Sequence, residues 1–138
     1  MSGAGGNGGA GGVGGVGGIN GNACNNPADI AVITASVPIV RQIAVNCWVN
    51  QCDQHIFEQE FLDCVNPCIR ENVDGAGLSV GCTDCYGQET WCSKQANCIS
   101  ACGINVCSPL CTQCENTDNC ILELSLCAGR NSFGCPEP

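Results

Sequence analysis

Large apolar side chains are scarce in this chain: three Phe, two Trp, one Tyr and one Met among 138 residues. A domain this poor in them buries too little area, at ~25 cal/mol/Å², to offset chain entropy comfortably. Basic residues are scarcer still, with Arg41, Arg70, Lys94 and Arg130 set against 13 acidic side chains for a net charge of −9. Phosphate affinity rests on Lys and Arg, so no nucleic-acid partner is expected, and no polybasic patch is present for a membrane surface. Long hydrophobic runs are missing too. The best candidate, Ile30 to Val45, is broken by Pro38 and carries Arg41, short of the ~18 apolar residues of a spanning helix. It reads as buried core.

Catalytic constellations are also absent. The single histidine, His55, lies near Asp53 and Glu58 but has no partner serine or free thiol, and reads as a surface residue at a helix start. Glu58 and Glu60 do not share a helix face. Glu115 to Asn119 is acidic and Asn-rich without the spacing of a calcium loop, and reads as a solvated turn. No phosphate-cradling motif occurs. The chain is expected to be no enzyme and to need no cofactor.

What is abundant is cysteine. Sixteen are present, 15 of them within the 89 residues from Cys47 to Cys135, above the ~8–10% at which a short chain reads as a disulfide scaffold or a metal-thiolate protein. The count is even. Cross-links closing loops of roughly 10–20 residues contribute about 2–4 kcal/mol each and would supply the margin that the thin core lacks. They require an oxidising compartment, which sets the expected location as extracellular or cell surface.

The chain divides at its glycines. From Ala4 to Ile19 it is a three-residue repeat, X-Gly-Gly, in which X is Ala4, Asn7, Ala10, Val13, Val16 and Ile19. Two glycines in three make ordering entropically expensive, so the default is a flexible tether. The period itself offers a second reading: a polyproline-II strand has three residues per turn, which would align all six X side chains for self-association through Ala4 to Ile19. The expected organisation is a Gly-rich segment, 1–23, and a cysteine-rich helical domain, 24–138.

Helix signals dominate that domain. Asn26-Pro27 opens a first helix, although the β-branched run from Ile30 to Ile33 is equally compatible with a short strand. A helix is expected from about 37 to 50. The clearest one runs from Asp53 to Arg70, with Ile56, Phe57, Phe61, Leu62, Cys64, Val65 and Cys68 on one side, and Pro67 kinking or ending it. Asp74 to Gly81 reads as a loop and Gln88 to Cys102 as a helix. Ser108-Pro109 opens another short one, and Asp118 or Asn119 caps a last one ending at Gly129. No β-hairpin signal competes. The fold class is small all-α and disulfide-rich: several short helices or helical hairpins stapled by disulfides.

The cysteine spacing carries a weak repeat, with Cys52 to Cys64, Cys85 to Cys98 and Cys114 to Cys127 at intervals of twelve or thirteen. The C-x-x-x-C pairs, Cys64/Cys68, Cys98/Cys102 and Cys107/Cys111, place two thiols one turn apart on a helix face. Such side chains point out in parallel, so each must reach a neighbouring segment. A nested scheme follows: Cys82 with Cys102, Cys85 with Cys98, and by analogy Cys47 with Cys68 and Cys52 with Cys64. The helix drawn from Asp53 argues against the last pair, because it would hold the two thiols about 18 Å apart.

Two resemblances bear on role. The front resembles the Gly-rich spacer that follows the lipidated cysteine of exported bacterial lipoproteins, here leading to a cysteine-rich cap. The first 18 residues lack the basic and apolar regions of a signal peptide, and export is consistent with this if Met1 replaces a processed leader. The second resemblance is to the cysteine-lined four-helix bundles of copper-storage proteins, and Cys82-x-x-Cys85 and Cys111-x-x-Cys114 also have zinc-ribbon-like spacing. Several cysteines beside Gly or Pro depart from that pattern. The C-x-x-C pairs lack the Trp and Gly-Pro of a thioredoxin-like motif. The leading expectation is therefore a non-enzymatic exported structural or binding protein with an unidentified protein or surface ligand. The alternative is a thiolate metal-binding or copper-storage protein.

Overall fold

The computed structural model describes residues 21–131 and 134–135. The repeat from Ala4 to Ile19 lies outside them. Among the described residues there are seven α-helices and no strand: α1 Pro27–Ala35, α2 Val40–Cys47, α3 Glu58–Glu71, α4 Val80–Gln95, α5 Ile99–Cys102, α6 Pro109–Thr117 and α7 Cys120–Ala128. A π-helical turn, Trp48–Cys52, extends α2. The protein is a small all-α, disulfide-rich fold.

Local chemistry sets most of the helix starts. Asn26 caps α1, its side chain accepting from Asp29 N with Pro27 in the first turn, so the β-branched run is helical and not a strand. Ser79 and Ser108 cap α4 and α6 in the same way, accepting from Cys82 N and Cys111 N. Asp29 is fully buried and accepts from Ser79 N at 2.7 Å and Ser79 Oγ at 2.6 Å, which joins the start of α1 to the cap of α4. The apolar stretch from 27 to 52 folds as two segments bent by 78° across Pro38, and no single helix is long and apolar enough to cross a membrane among the described residues.

Three boundaries differ from expectation. The helix expected from Asp53 begins at Glu58, because residues 53–57 turn the chain back. The Asp53 carboxylate accepts from Trp48 Nε1 at 2.8 Å, while Lys94 Nζ donates to the Asp53 carbonyl at 2.9 Å. Ile56 and Phe57, expected on the buried side, are exposed in that turn. Pro67 does not end α3, which runs on to Glu71. Buried Val65 and Ile69, and cross-links at Cys64 and Cys68, hold the helix on either side of the missing N–H. The helix expected over 88–102 begins already at Val80, inside the expected loop, because Ser79 caps it there, and it is two helices. Asn97 takes a positive φ of 61° and turns the chain between α4 and α5, so Trp91 and Cys102 do not share one continuous face.

Helix α4 is the hub, packing on α2, α3, α6 and α7. Gly87 allows its close approach to α3, where a Cβ would fall 2.0 Å from Asn66 Oδ1 and 3.1 Å from Leu62 Cδ2. Trp48, Phe61, Tyr86, Ile43, Ile69 and Leu124 fill the interior, with Phe61 and Trp91 ring centroids 5.4 Å apart. Cysteine makes up ten of the 24 buried apolar residues, so sulfur supplies volume as well as covalent restraint.

All sixteen cysteines are paired, in eight disulfides. Two nested ladders account for six. Cys47–Cys68 and Cys52–Cys64 staple α2 and its π-turn to α3, the turn at 53–57 removing the helical separation that stood against the second pair. Cys85–Cys127, Cys92–Cys120, Cys98–Cys114 and Cys102–Cys111 lie one inside the other. They clamp α4 and α5 against α7 and α6 as antiparallel arms. The last two, Cys24–Cys82 and Cys107–Cys135, fasten the ends of the described chain.

This corrects two of the expected pairs. Cys82 bonds Cys24 and not Cys102, and Cys85 bonds Cys127 and not Cys98. Both sit in the first turns of α4, where the chain entering at Ala23 and Cys24 donates backbone N–H groups to the Cys127 and Ala128 carbonyls at 3.2 and 3.0 Å. Those hydrogen bonds bring Cys24 and Cys127 to α4 together.

Candidate functional site

The four cysteines with metal-like spacing end in four different disulfides: Cys82 with Cys24, Cys85 with Cys127, Cys111 with Cys102 and Cys114 with Cys98. A disulfide sulfur is not a thiolate and does not hold zinc or Cu(I) as one, so the metal reading finds no support. Cys102, Cys111 and Glu115 do bring two sulfurs and a carboxylate oxygen within 4.8 Å of one another, but the two sulfurs are bonded together.

The chemistry-bearing group that sequence reasoning missed is a buried charge cluster. Arg41 from α2, Glu89 from α4 and Glu115 from α6 are 1%, 2% and 0% exposed. Arg41 Nη2 donates to Glu115 Oε1 at 3.1 Å, and Arg41 Nε lies 3.8 Å from Glu89 Oε2. Arg41 had read only as a charge interrupting an apolar run, and Glu115 as part of a solvated turn. The turn reading is wrong for Glu115, which faces the interior from α6.

Disulfides floor and flank this cluster. Glu115 Oε2 lies 3.5 Å from Cys102 Sγ and 3.6 Å from Cys111 Sγ, and Arg41 Nη1 lies 3.4 Å from Cys135 Sγ. Burial pushes the Glu89 carboxyl well above the usual carboxylate range, and the neighbouring Glu115 charge and its hydrogen bond add to the rise, which Arg41 only partly offsets. Two carboxyls thus share one guanidinium out of water, and the rise at Glu89 expresses the cost of that burial.

A cavity of about 260 Å³ borders the cluster, lined by Ile33, Ser36, Ile39, Arg41 and Tyr86 among others. The Ser36 hydroxyl is buried there without a hydrogen-bond partner. Near the last turn of α4, the Trp48 hydrogen bond holds the Asp53 carboxyl below its usual range; partial burial opposes this, and the Lys94 hydrogen bond and charge assist it. His55 lies 3.9 Å from Glu60 at the surface. None of these groups forms a nucleophile and base pair among the described residues. No family model matches the chain, and neither a curated protein nor a solved structure is similar to it.

Proposed function

We propose that this chain is a non-enzymatic exported module, a cross-linked helical head on the Gly-rich segment 1–23, acting as a structural or binding protein of the cell surface or extracellular space. The observation that carries the reading is that every cysteine is spent in a disulfide. Disulfide density of this order is typical of extracellular proteins and does not persist against cytosolic thiols. The Gly-rich front supports a stalk of the kind found in tethered bacterial lipoproteins. Leu122 and Leu126, one turn apart on α7, and Ile104 and Leu110 around the α5–α6 hairpin are exposed, and support a role in contact with another surface. Self-association through Ala4 to Ile19 is one form such contact takes.

The test is intact mass of the protein recovered from its native host, by compartment, before and after reduction. Export predicts recovery from the envelope or medium, no alkylatable thiol, and a gain of about 16 Da on reduction of eight bonds. A cytosolic, reduced protein refutes the reading. In the same preparation, sedimentation of the full chain against a form lacking residues 1–20 separates an assembly strand, which makes the full chain heavier than monomeric, from a tether.

A further inference from the structure

Seven of the eight disulfides have at least one buried half. In Cys107–Cys135 both residues are partly exposed. Cys107 lies in the turn between α5 and α6, and Cys135 in the tail past α7, so this bond is the outermost fastening and belongs to neither ladder. The bond is also electrically lopsided. Arg41 Nη1 lies 3.4 Å from Cys135 Sγ, while the guanidinium is anchored from behind by Glu115 at 3.1 Å. A cation at one sulfur favours the thiolate on that sulfur, and in thiol–disulfide exchange the sulfur with the lower thiol pKa is the better leaving group.

We propose that Cys107–Cys135 is a covalent exchange site for low-molecular-weight thiols, with a fixed direction of attack. The incoming thiolate attacks Cys107 Sγ in line with the bond, and a new disulfide forms between it and Cys107. The Cys107–Cys135 bond breaks, and its electron pair leaves on Cys135 Sγ beside Arg41. The incoming sulfur is oxidised to the disulfide level and Cys135 is reduced to the thiolate, so no other oxidant or reductant is consumed. Return attack by Cys135 on the mixed disulfide expels the small thiol and restores the bond. Both ladders and Cys24–Cys82 stay closed, so the helical head persists while it carries the adduct.

The test exposes the oxidised full chain to reduced glutathione, quenches early time points with acid and N-ethylmaleimide, and maps the unreduced digest by mass spectrometry. The first product is expected to carry glutathione on Cys107 and maleimide on Cys135 with the other seven pairs intact. Prior opening of another pair, glutathione on Cys135, or no adduct before the head unfolds overturns the proposal. Cys107→Ala/Cys135→Ala removes the early adduct and keeps the helical circular dichroism; an adduct of undiminished rate in that variant refutes the site. In a folded Arg41→Gln chain the preference for Cys107 is lost and exchange slows severalfold, because the leaving sulfur no longer faces a cation. Unchanged regiochemistry there refutes the role of the arginine. If Arg41→Gln does not fold, the product map of the native chain still decides.

Discussion

Removing Cys24–Cys82 by paired alanine substitution should destabilise the protein more than removing Cys98–Cys114, by an amount that the nesting sets. The bonds span 58 and 16 residues, which in the chain-entropy treatment corresponds to about 4.2 and 3.1 kcal/mol. Neither loop is free in the unfolded chain, however. Cys47–Cys68 shortcuts the first to about 37 residues and Cys102–Cys111 shortcuts the second to about 7, giving about 3.8 and 2.4 kcal/mol. Cavity terms point the same way, because Cys24 and Cys82 are both fully buried and Cys114 is not. At roughly 4 °C per kcal/mol the melting temperatures fall by about 15 and 10 °C. The assay is guanidinium unfolding without reductant, read with the m-value, which rises as the unfolded chain is released. Equal losses, or a larger loss for Cys98→Ala/Cys114→Ala, would show that these bonds act through native-state enthalpy and not through the unfolded chain.

Two further outcomes follow from single positions. Because the folded state raises the Glu89 pKa, the contribution of Glu89 is complete below its unfolded value of about 4.3 and is lost as pH climbs through the folded value. Glu89→Gln, whose amide mimics the protonated acid, should therefore gain stability over the wild type as pH rises above about 5 in thermal melts; parallel profiles refute the raised Glu89 pKa. Gly129 holds a φ of +80°, and a Cβ there would lie 1.9 Å from the Gly21 carbonyl oxygen. Gly129→Ala should cost about 1–3 kcal/mol. The control, Gly81→Ala in α4, meets nothing nearer than Ala23 Cβ at 4.0 Å and should gain about 0.5–1 kcal/mol. A neutral Gly129→Ala means that the packing of the entering chain on the end of α7 does not constrain this position.

The helical class was legible because its signals are local. Asn26-Pro27, Ser108-Pro109 and the apolar stripe of α3 each act within a turn or two, where capping and periodicity decide. The boundaries that failed depend on distant partners: the break at 53–57 rests on Lys94, and the uninterrupted passage of α3 through Pro67 rests on Cys47 and Cys52. The disulfide pattern lies between these cases. Nesting was the correct kind of arrangement, centred on the wrong turn. Reading inward from Cys85, the steps to Cys92, Cys98 and Cys102 are 7, 6 and 4; outward from Cys111 to Cys114, Cys120 and Cys127 they are 3, 6 and 7. That mirror is in the sequence. It goes unseen when Cys82, which bonds the entering chain at Cys24, is counted into the ladder.

The buried cluster was illegible for a different reason. Arg41, Glu89 and Glu115 come from three helices with no shared motif, and two buried carboxyls beside one arginine are a poor bet on electrostatics alone, since desolvation of such groups commonly exceeds their mutual attraction. A fold held only by apolar packing could relieve that penalty by letting α6 shift and Glu115 reach water. Here Cys102–Cys111 and Cys98–Cys114 fix the turn of α6 that leads into Glu115, and Cys92–Cys120 and Cys85–Cys127 fix α7, which follows it. The ladder thus closes the escape route, and the cost of burial falls on Glu89, whose carboxyl is held well above the usual carboxylate range. Covalent restraint comes first in this protein and the charge state follows from it: loosening the ladder should return Glu89 toward an ordinary carboxylate, whereas neutralising Glu89 leaves every disulfide where it is.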